Sequence, residues 1–259
     1  MTETTIRADV PAAVERILKP IQQFVRGWMM SDSTVARGKE MGLSSGNQFW
    51  VVGRAGVLGD GDSDVAAAGL AFHGPDAVRR AWESLPTDLT PRLVAAAYAT
   101  CCCAWGTTAL AAFDPARMAR LDVLGRRIID AAPAALGPVF AGWRAMPSAI
   151  DVGGRVALTS HVLREMRGAA HIIAVQACGI TPLEAILASP AAPPRSGPEW
   201  ATRMGFSGPF RDPDEVRAQR IEAEGLTSRI MARYVGALDA DELAELAELI
   251  ETTRNAIDM

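Results

Sequence analysis

Histidine, tyrosine and cysteine are scarce in this chain, at three, two and four of its 259 residues. Three of the cysteines are consecutive, Cys101 to Cys103, and Cys178 stands apart. Adjacent side chains on a helix point about 100° apart, so this run offers neither a zinc-binding spacing nor a disulfide framework. Small buried packing groups in a reducing compartment are the simpler account. No window approaches the ~18 uncharged apolar residues that span a bilayer, and the opening stretch MTETTIRADVPAAVERILKP carries acids instead of an apolar run. No membrane association and a cytoplasmic location are therefore expected. A net charge of -4 exerts no overall pull on a polyanion, so a nucleic-acid partner would need a local basic patch.

Several chemical signatures are missing as well. There is no Gly-rich phosphate loop, no G-x-S-x-G, no H-E-x-x-H and no paired-cysteine metal motif. Asp60, Asp62 and Asp64 resemble the start of a calcium loop. Val65, however, replaces the glycine needed at the sixth position and Ala71 the glutamate needed at the twelfth. No metal is expected, and Asp64 reads as the N-cap of a short helix running toward Phe72. Alternation of the β type is absent at any useful length, which leaves an all-α chain.

With 49% hydrophobic and 22% charged residues, the chain is long enough for one large or two smaller buried cores. Helical periodicity marks Pro11 to Met30, with a kink or break expected at Pro20. It marks Asp76 to Leu85, a small-residue-rich segment from Thr90 to Phe113, and Pro115 to Leu136, whose Arg117, Arg120, Arg126 and Arg127 read as a solvated face. Thr181-Pro182 opens a short helix, Leu183 to Ala188. Asp214 to Leu238 is helical with a weak point at Gly225, and Asp239 to Ile257 is amphipathic, capped by Asp239 with Glu242 three residues on. Ser31 to Asn47 is too weakly patterned to assign. The stretch SPAAPPRSGP, residues 189–198, is the clearest linker, so the expected organisation is a helical domain over 1–188, a linker over 189–198 and a smaller helical module over 199–259.

The longest helical pattern, Arg155 to Cys178, is apolar around most of its circumference, as suits a central helix. Its exceptions, His161, Arg164, Arg167 and His171, fall in one sector of roughly 120°. That stripe has two readings. It is either the solvent face of an amphipathic helix or the polar wall of a pocket, in which arginines hold an anionic ligand through bidentate contacts and His171 serves as acid or base. A core histidine satisfied by a backbone carbonyl is the third possibility for His171 alone.

Two blocks, FWVVGRAGVLGDGDSDVAAAGLAFHGPDAVRRAWES and LREMRGAAHIIAVQACGITPLEAILA, resemble those of a family of helical proteins from actinobacterial genomes described as MarR-like or winged-helix-related. The resemblance covers most of the chain. It implies a helical N-terminal domain and a C-terminal winged-helix-like module, and it marks Arg54, Arg164, Arg167, Gly168 and His171. The chain departs from the pattern at PEWATRMGFSGPFRDPDE, where prolines and glycines leave no room for the two to three uninterrupted turns of a recognition helix. No specific duplex binding is expected.

The first functional reading is a small-molecule-binding protein, with or without enzymatic activity. Its pocket would be lined by Arg54, Arg164, Arg167, His171 and His73, with Trp50, Phe72, Tyr98 and Trp105 as apolar walls. The ligand would carry a negative or strongly polar group, and His171 would be the catalytic acid or base. No cofactor is named by the sequence. A haem-binding variant would use His171 or His161 as axial ligand with arginines on the propionates. The alternative is a MarR-like, ligand-responsive transcriptional regulator, a homodimer built on terminal helices such as Asp239 to Ile257.

Overall fold

The computed structural model describes residues 10–189 and 197–257, which are all-α with no strand among them. The helices are α1 (Val10–Met29), α2 (Asp32–Glu40), α3 (Gly46–Ala55), α4 (Ser63–Gly69), α5 (Pro75–Glu83), α6 (Pro91–Ala109), α7 (Pro115–Ala131), α8 (Pro138–Arg144), α9 (Val152–Ala177), α10 (Pro182–Leu187), α11 (Gly197–Arg203), α12 (Arg217–Val235) and α13 (Ala240–Ile257). Short 3-10 turns occupy Gly56–Leu58, Ala134–Leu136 and Pro213–Val216. None of the described helices is long and apolar enough to cross a membrane. Within the proline-rich stretch 189–198, residues 190–196 lie outside the described residues.

Helix α9 is the hub, packed by α1, α6, α7, α8 and α12. Its ends follow from its sequence. Asp151 caps the N-terminus by accepting the Gly154 amide at 2.7 Å. At the other end Gly179 adopts φ +73°, and the amides of Ile180 and Gly179 return to the carbonyls of Val175 and Gln176. This is a Schellman stop, and it leads directly into the Thr181/Glu184 capping box of α10. Between these ends the residues from Val156 to Leu163 are all buried, as a helix apolar on every side demands.

The small residues of α6 bring it very close to α9. A Cβ on Gly106 would sit 2.4 Å from the carbonyl oxygen of Gly153, and one on Gly153 would sit 2.6 Å from that of Gly106. The small residues of this segment thus let backbone approach backbone where the two helices meet. A second close fit places α3: at Gly53 a Cβ would lie 2.5 Å from the ring of Tyr98. Trp143 of α8 then donates its Nε1–H to the carbonyl of Arg54 at 3.0 Å, fixing the end of α3 against the core.

Four local expectations need correction. Helix α1 runs unbroken through Pro20. The carbonyl deprived of its partner belongs to Arg16, which is exposed and can be satisfied by water. Asp62, not Asp64, caps α4, accepting the amide of Asp64 at 2.7 Å. The unassigned stretch holds α2, capped by Ser31, and the start of α3, capped by Ser45. Finally, the arginines of α7 are not simply solvated: Arg117 meets Glu248, Arg120 meets Glu245 and Arg127 meets Glu242, all on α13. Arg126 instead pairs with Asp122 of its own helix, a buried carboxylate that also accepts from Thr159 of α9 at 2.6 Å.

Helix α13 begins with the reciprocal Asp239/Glu242 bonds expected of a capping box. Its apolar residues Leu243, Leu246, Leu249 and Ile250 are buried against α1 and α7. Met231 and Val235 of α12 join the same hydrophobic core as α1 and α9. These residues of α13 are covered within the chain.

Candidate ligand-binding cavity

A cavity of about 610 Å³ opens beside the C-terminal half of α9. Its wall combines the end of α3 (Trp50, Arg54), the α4–α5 connection (Phe72, His73), the stretch Leu136 to Val139, the α9 stripe from Arg164 to Ile173, Trp200 of α11, and Arg220 and Glu224 of α12. Its polar groups form two clusters, each built on one glutamate.

The first cluster is held by Glu165. Arg54 grips it with both arms of its fork, Nε to Oε1 at 3.0 Å and Nη2 to Oε2 at 2.9 Å. Arg164 adds a third contact, Nη1 to Oε1 at 2.5 Å. The Glu165 side chain is 3% exposed and that of Arg54 10%, whereas that of Arg164 is 23% exposed. One carboxylate therefore serves two guanidiniums, and Arg164 is the more accessible of them. Burial alone would raise the Glu165 pKa, but the neighbouring arginines overcome it and hold the carboxyl far below its ordinary range. Arg54 is opposed by burial and rescued by Glu165, ending above its usual value. Arg164 is not rescued: burial and the charge of Arg54 push it down to about 10.

The second cluster repeats the arrangement on Glu224. Arg167 reaches Oε2 at 2.6 Å, and Arg220 lies 2.6 Å from Oε1 while donating Nε to the carbonyl of Ala185 at 2.9 Å. The side chain of Arg220 is 10% exposed and that of Arg167 21%. The pKa of Arg167 is lowered by burial despite its pairing, and that of Glu224 is lowered because Arg167 and Arg220 outweigh burial.

Each cluster has a histidine beside it. His73 stacks edge-on against Trp50, with centroids 4.9 Å apart, and neither of its ring nitrogens has a hydrogen-bond partner. Burial and the charges of Arg54 and Arg164 push it down to about 3. His171 lies under Phe72, with centroids 5.1 Å apart and planes inclined at 20°, and its Nδ1 is 2.8 Å from the Thr227 hydroxyl. Burial takes it down to about 4. Both rings are neutral at pH 7. Among the described residues, the charged groups of the wall are then four arginines against two glutamates, a surplus of two positive charges facing the cavity.

The structure brings Arg54, Arg164, Arg167, His171, His73, Trp50, Phe72 and Gly168 to this one cavity. Tyr98 and Trp105 are not part of its wall. Tyr98 is fully buried and donates its hydroxyl to the carbonyl of Met29 at 3.0 Å, and Trp105 packs edge-on against Phe24. Both follow from the tight approach of α6, which leaves no room on that side. His161 also leaves the stripe: it is fully buried between Trp28 and Trp143, with centroids 5.1 and 4.2 Å away, so it has no open face for a haem iron. Glu165, Arg220 and Glu224 were not anticipated. Glu165 carried a signal, an acid amid the arginines of an otherwise apolar helix; Arg220 and Glu224 come from α12, with no local cue linking them to α9.

Comparison with known proteins gives one finding: the model of a helix-turn-helix family matches residues 12–258. No curated protein and no solved structure matches the chain.

Proposed function

The chain belongs to this helix-turn-helix family, and from its cavity we propose that it is a member that binds a small organic anion. The observation that carries the reading is the surplus positive charge on the cavity wall, with the accessible Arg164 sharing with Arg54 the one carboxylate it meets among the described residues. A guanidinium held away from bulk water without a full counter-charge is unfavourable, and a bound anion supplies that charge in a geometry suited to the fork. Between the clusters the wall is apolar and aromatic, with Trp50, Phe72, Leu136, Val139, Ile172 and Trp200, which suits a ligand with a hydrophobic body.

The test is a thermal-shift comparison of arylalkanoates of one to four methylenes with their uncharged amides. A carboxylate at about 100 times its Kd should stabilise the protein by about 2.7 kcal/mol, or roughly 5 to 10 °C. The matching amide should do little, and Arg164→Met should remove the shift. Equal shifts from acid and amide, or a shift that survives Arg164→Met, would refute the reading.

Family membership favours a second reading, a MarR-like regulator whose ligand controls DNA binding. Against it, α11 in the C-terminal segment has seven residues, too short to present a recognition face along a major groove, and the net charge is -4. We expect no specific duplex binding at physiological salt. A nanomolar, salt-sensitive mobility shift with the DNA upstream of its own gene would instead support the regulator.

A further inference from the structure

We infer that the ligand is a hydroxylated organic anion, its hydroxyl donating to Nε2 of His171 and its anionic group resting on Arg164. This deepens the anion-binding reading and depends on it. The reasoning starts from one proton. The Thr227 hydroxyl lies 2.7 Å from the carbonyl oxygen of Ala223, which can only accept, so the hydroxyl hydrogen is committed there. Thr227 Oγ1 can therefore only accept from His171 Nδ1 at 2.8 Å. His171 is fixed in the tautomer with hydrogen on Nδ1 and a lone pair on Nε2, and Phe72 stacked on the ring holds its plane.

That lone pair belongs to a ring on the cavity wall. Nε2 lies 3.9 Å from Oε1 of Glu224, and among the described residues no donor is hydrogen-bonded to Nε2. With Oε1 already paired to Arg220, Nε2 is the acceptor left for a ligand donor. An ammonium would meet the guanidiniums of Arg167 and Arg220, both already on Glu224, so a neutral hydroxyl is the better fit. The wall thus offers a neutral acceptor at His171 Nε2 and, further along α9, the more accessible guanidinium of the first cluster at Arg164. Seven residues of helix separate the two, about 10 Å along the axis. A para-hydroxyphenyl alkanoate has this layout: hydroxyl, apolar body, carboxylate.

The experiment is calorimetric titration of the full chain with matched pairs, 4-phenylbutyrate against 4-(4-hydroxyphenyl)butyrate and the homologues with one to three methylenes. The hydroxylated member of the best-fitting pair should bind at least about tenfold more tightly, as expected for a site that leaves a polar group unpaired without it. Thr227→Val, which removes the acceptor for Nδ1–H, should shrink that ratio to about twofold or less, whereas Thr227→Ser should keep it. Nitrogen-15 imidazole spectra report the tautomer independently of binding: the Nδ1–H form in the parent and in Thr227→Ser, and its loss in Thr227→Val. If carboxylates bind but the two members of every pair are equal, this inference fails and the anion reading stands. If no carboxylate binds, both fail. An Nε2–H tautomer in the free protein would overturn the inference directly.

Discussion

Replacing Glu165 by glutamine is expected to destabilise the protein by about 3 to 5 kcal/mol, whereas Arg164→Met should change stability by no more than about 1 kcal/mol. The asymmetry follows from the way the carboxylate is shared. Glutamine keeps the shape of the side chain but removes the single charge that balances both Arg54 and Arg164, leaving two guanidiniums together with no counter-charge. Removing Arg164 leaves the fork of Arg54 on Glu165 intact and removes a guanidinium that burial, together with repulsion from Arg54, pushes down to about 10. Urea or thermal unfolding of the two variants measures the difference, which for a chain of this size corresponds to a Tm lower by about 10 °C for Glu165→Gln. Equal losses would mean that the cluster is an ordinary structural ion-pair network. A small loss for Glu165→Gln would mean that the guanidiniums are solvated after all.

Mild acid should unfold the protein well before its carboxylates protonate. Burial holds His73 and His161 at about 3 and His171 at about 4, against an ordinary value of 6.5. Below pH 6.5 the unfolded chain therefore binds protons that the folded chain refuses, and the free energy of unfolding falls as pH falls. Each histidine contributes about 1.4 kcal/mol per pH unit, so the three together approach 4 kcal/mol per unit between about pH 6 and pH 4. Glu165 works in the same sense at lower pH: its pKa is also depressed, so its stabilisation is present above the ordinary carboxylate range and is lost on further acidification. Denaturant unfolding at half-unit steps from pH 7.5 to 4.5 should give a plateau above 6.5 and a steep decline below it. His161→Phe, which keeps a ring between Trp28 and Trp143, should flatten the decline by about a third. A stability flat from pH 7 to 5 would show that these rings are not held neutral by burial.

Helices and caps were largely legible in the sequence because they depend on neighbours in the chain. Thr181 with Glu184 and Asp239 with Glu242 are fixed by three-residue spacings. The stripe on α9 was legible for the same reason, since periodicity alone puts Arg164, Arg167 and His171 on one side. Periodicity could not say what lies opposite. Arg54 came from the resemblance, and it sits on the last turn of α3. Arg220 and Glu224 reach the cavity only because α12 packs on α9. His161 shares the stripe's angle but lies further toward the N-terminus, where Trp28 and Trp143 close over it. Tyr98 and Trp105 were misplaced because small residues on α6 signal close approach as readily as open space, and here Gly106 against Gly153 decides for close approach. At Pro20 a kink or break was expected from the missing amide, but that amide costs one hydrogen bond, at exposed Arg16, and α1 continues through it.

The central claim is that the surplus positive charge at Arg164 is kept for an anion, and anomalous diffraction from crystals equilibrated in bromide tests it most directly. Bromide carries charge without any particular shape, so its position reports where the cavity draws an anion irrespective of the organic ligand. A bromide inside the cavity in contact with the Arg164 guanidinium, absent in Arg164→Met crystals, is the predicted result. Bromide confined to outer arginines such as Arg37 and Arg217, with the cavity holding water alone, would contradict it.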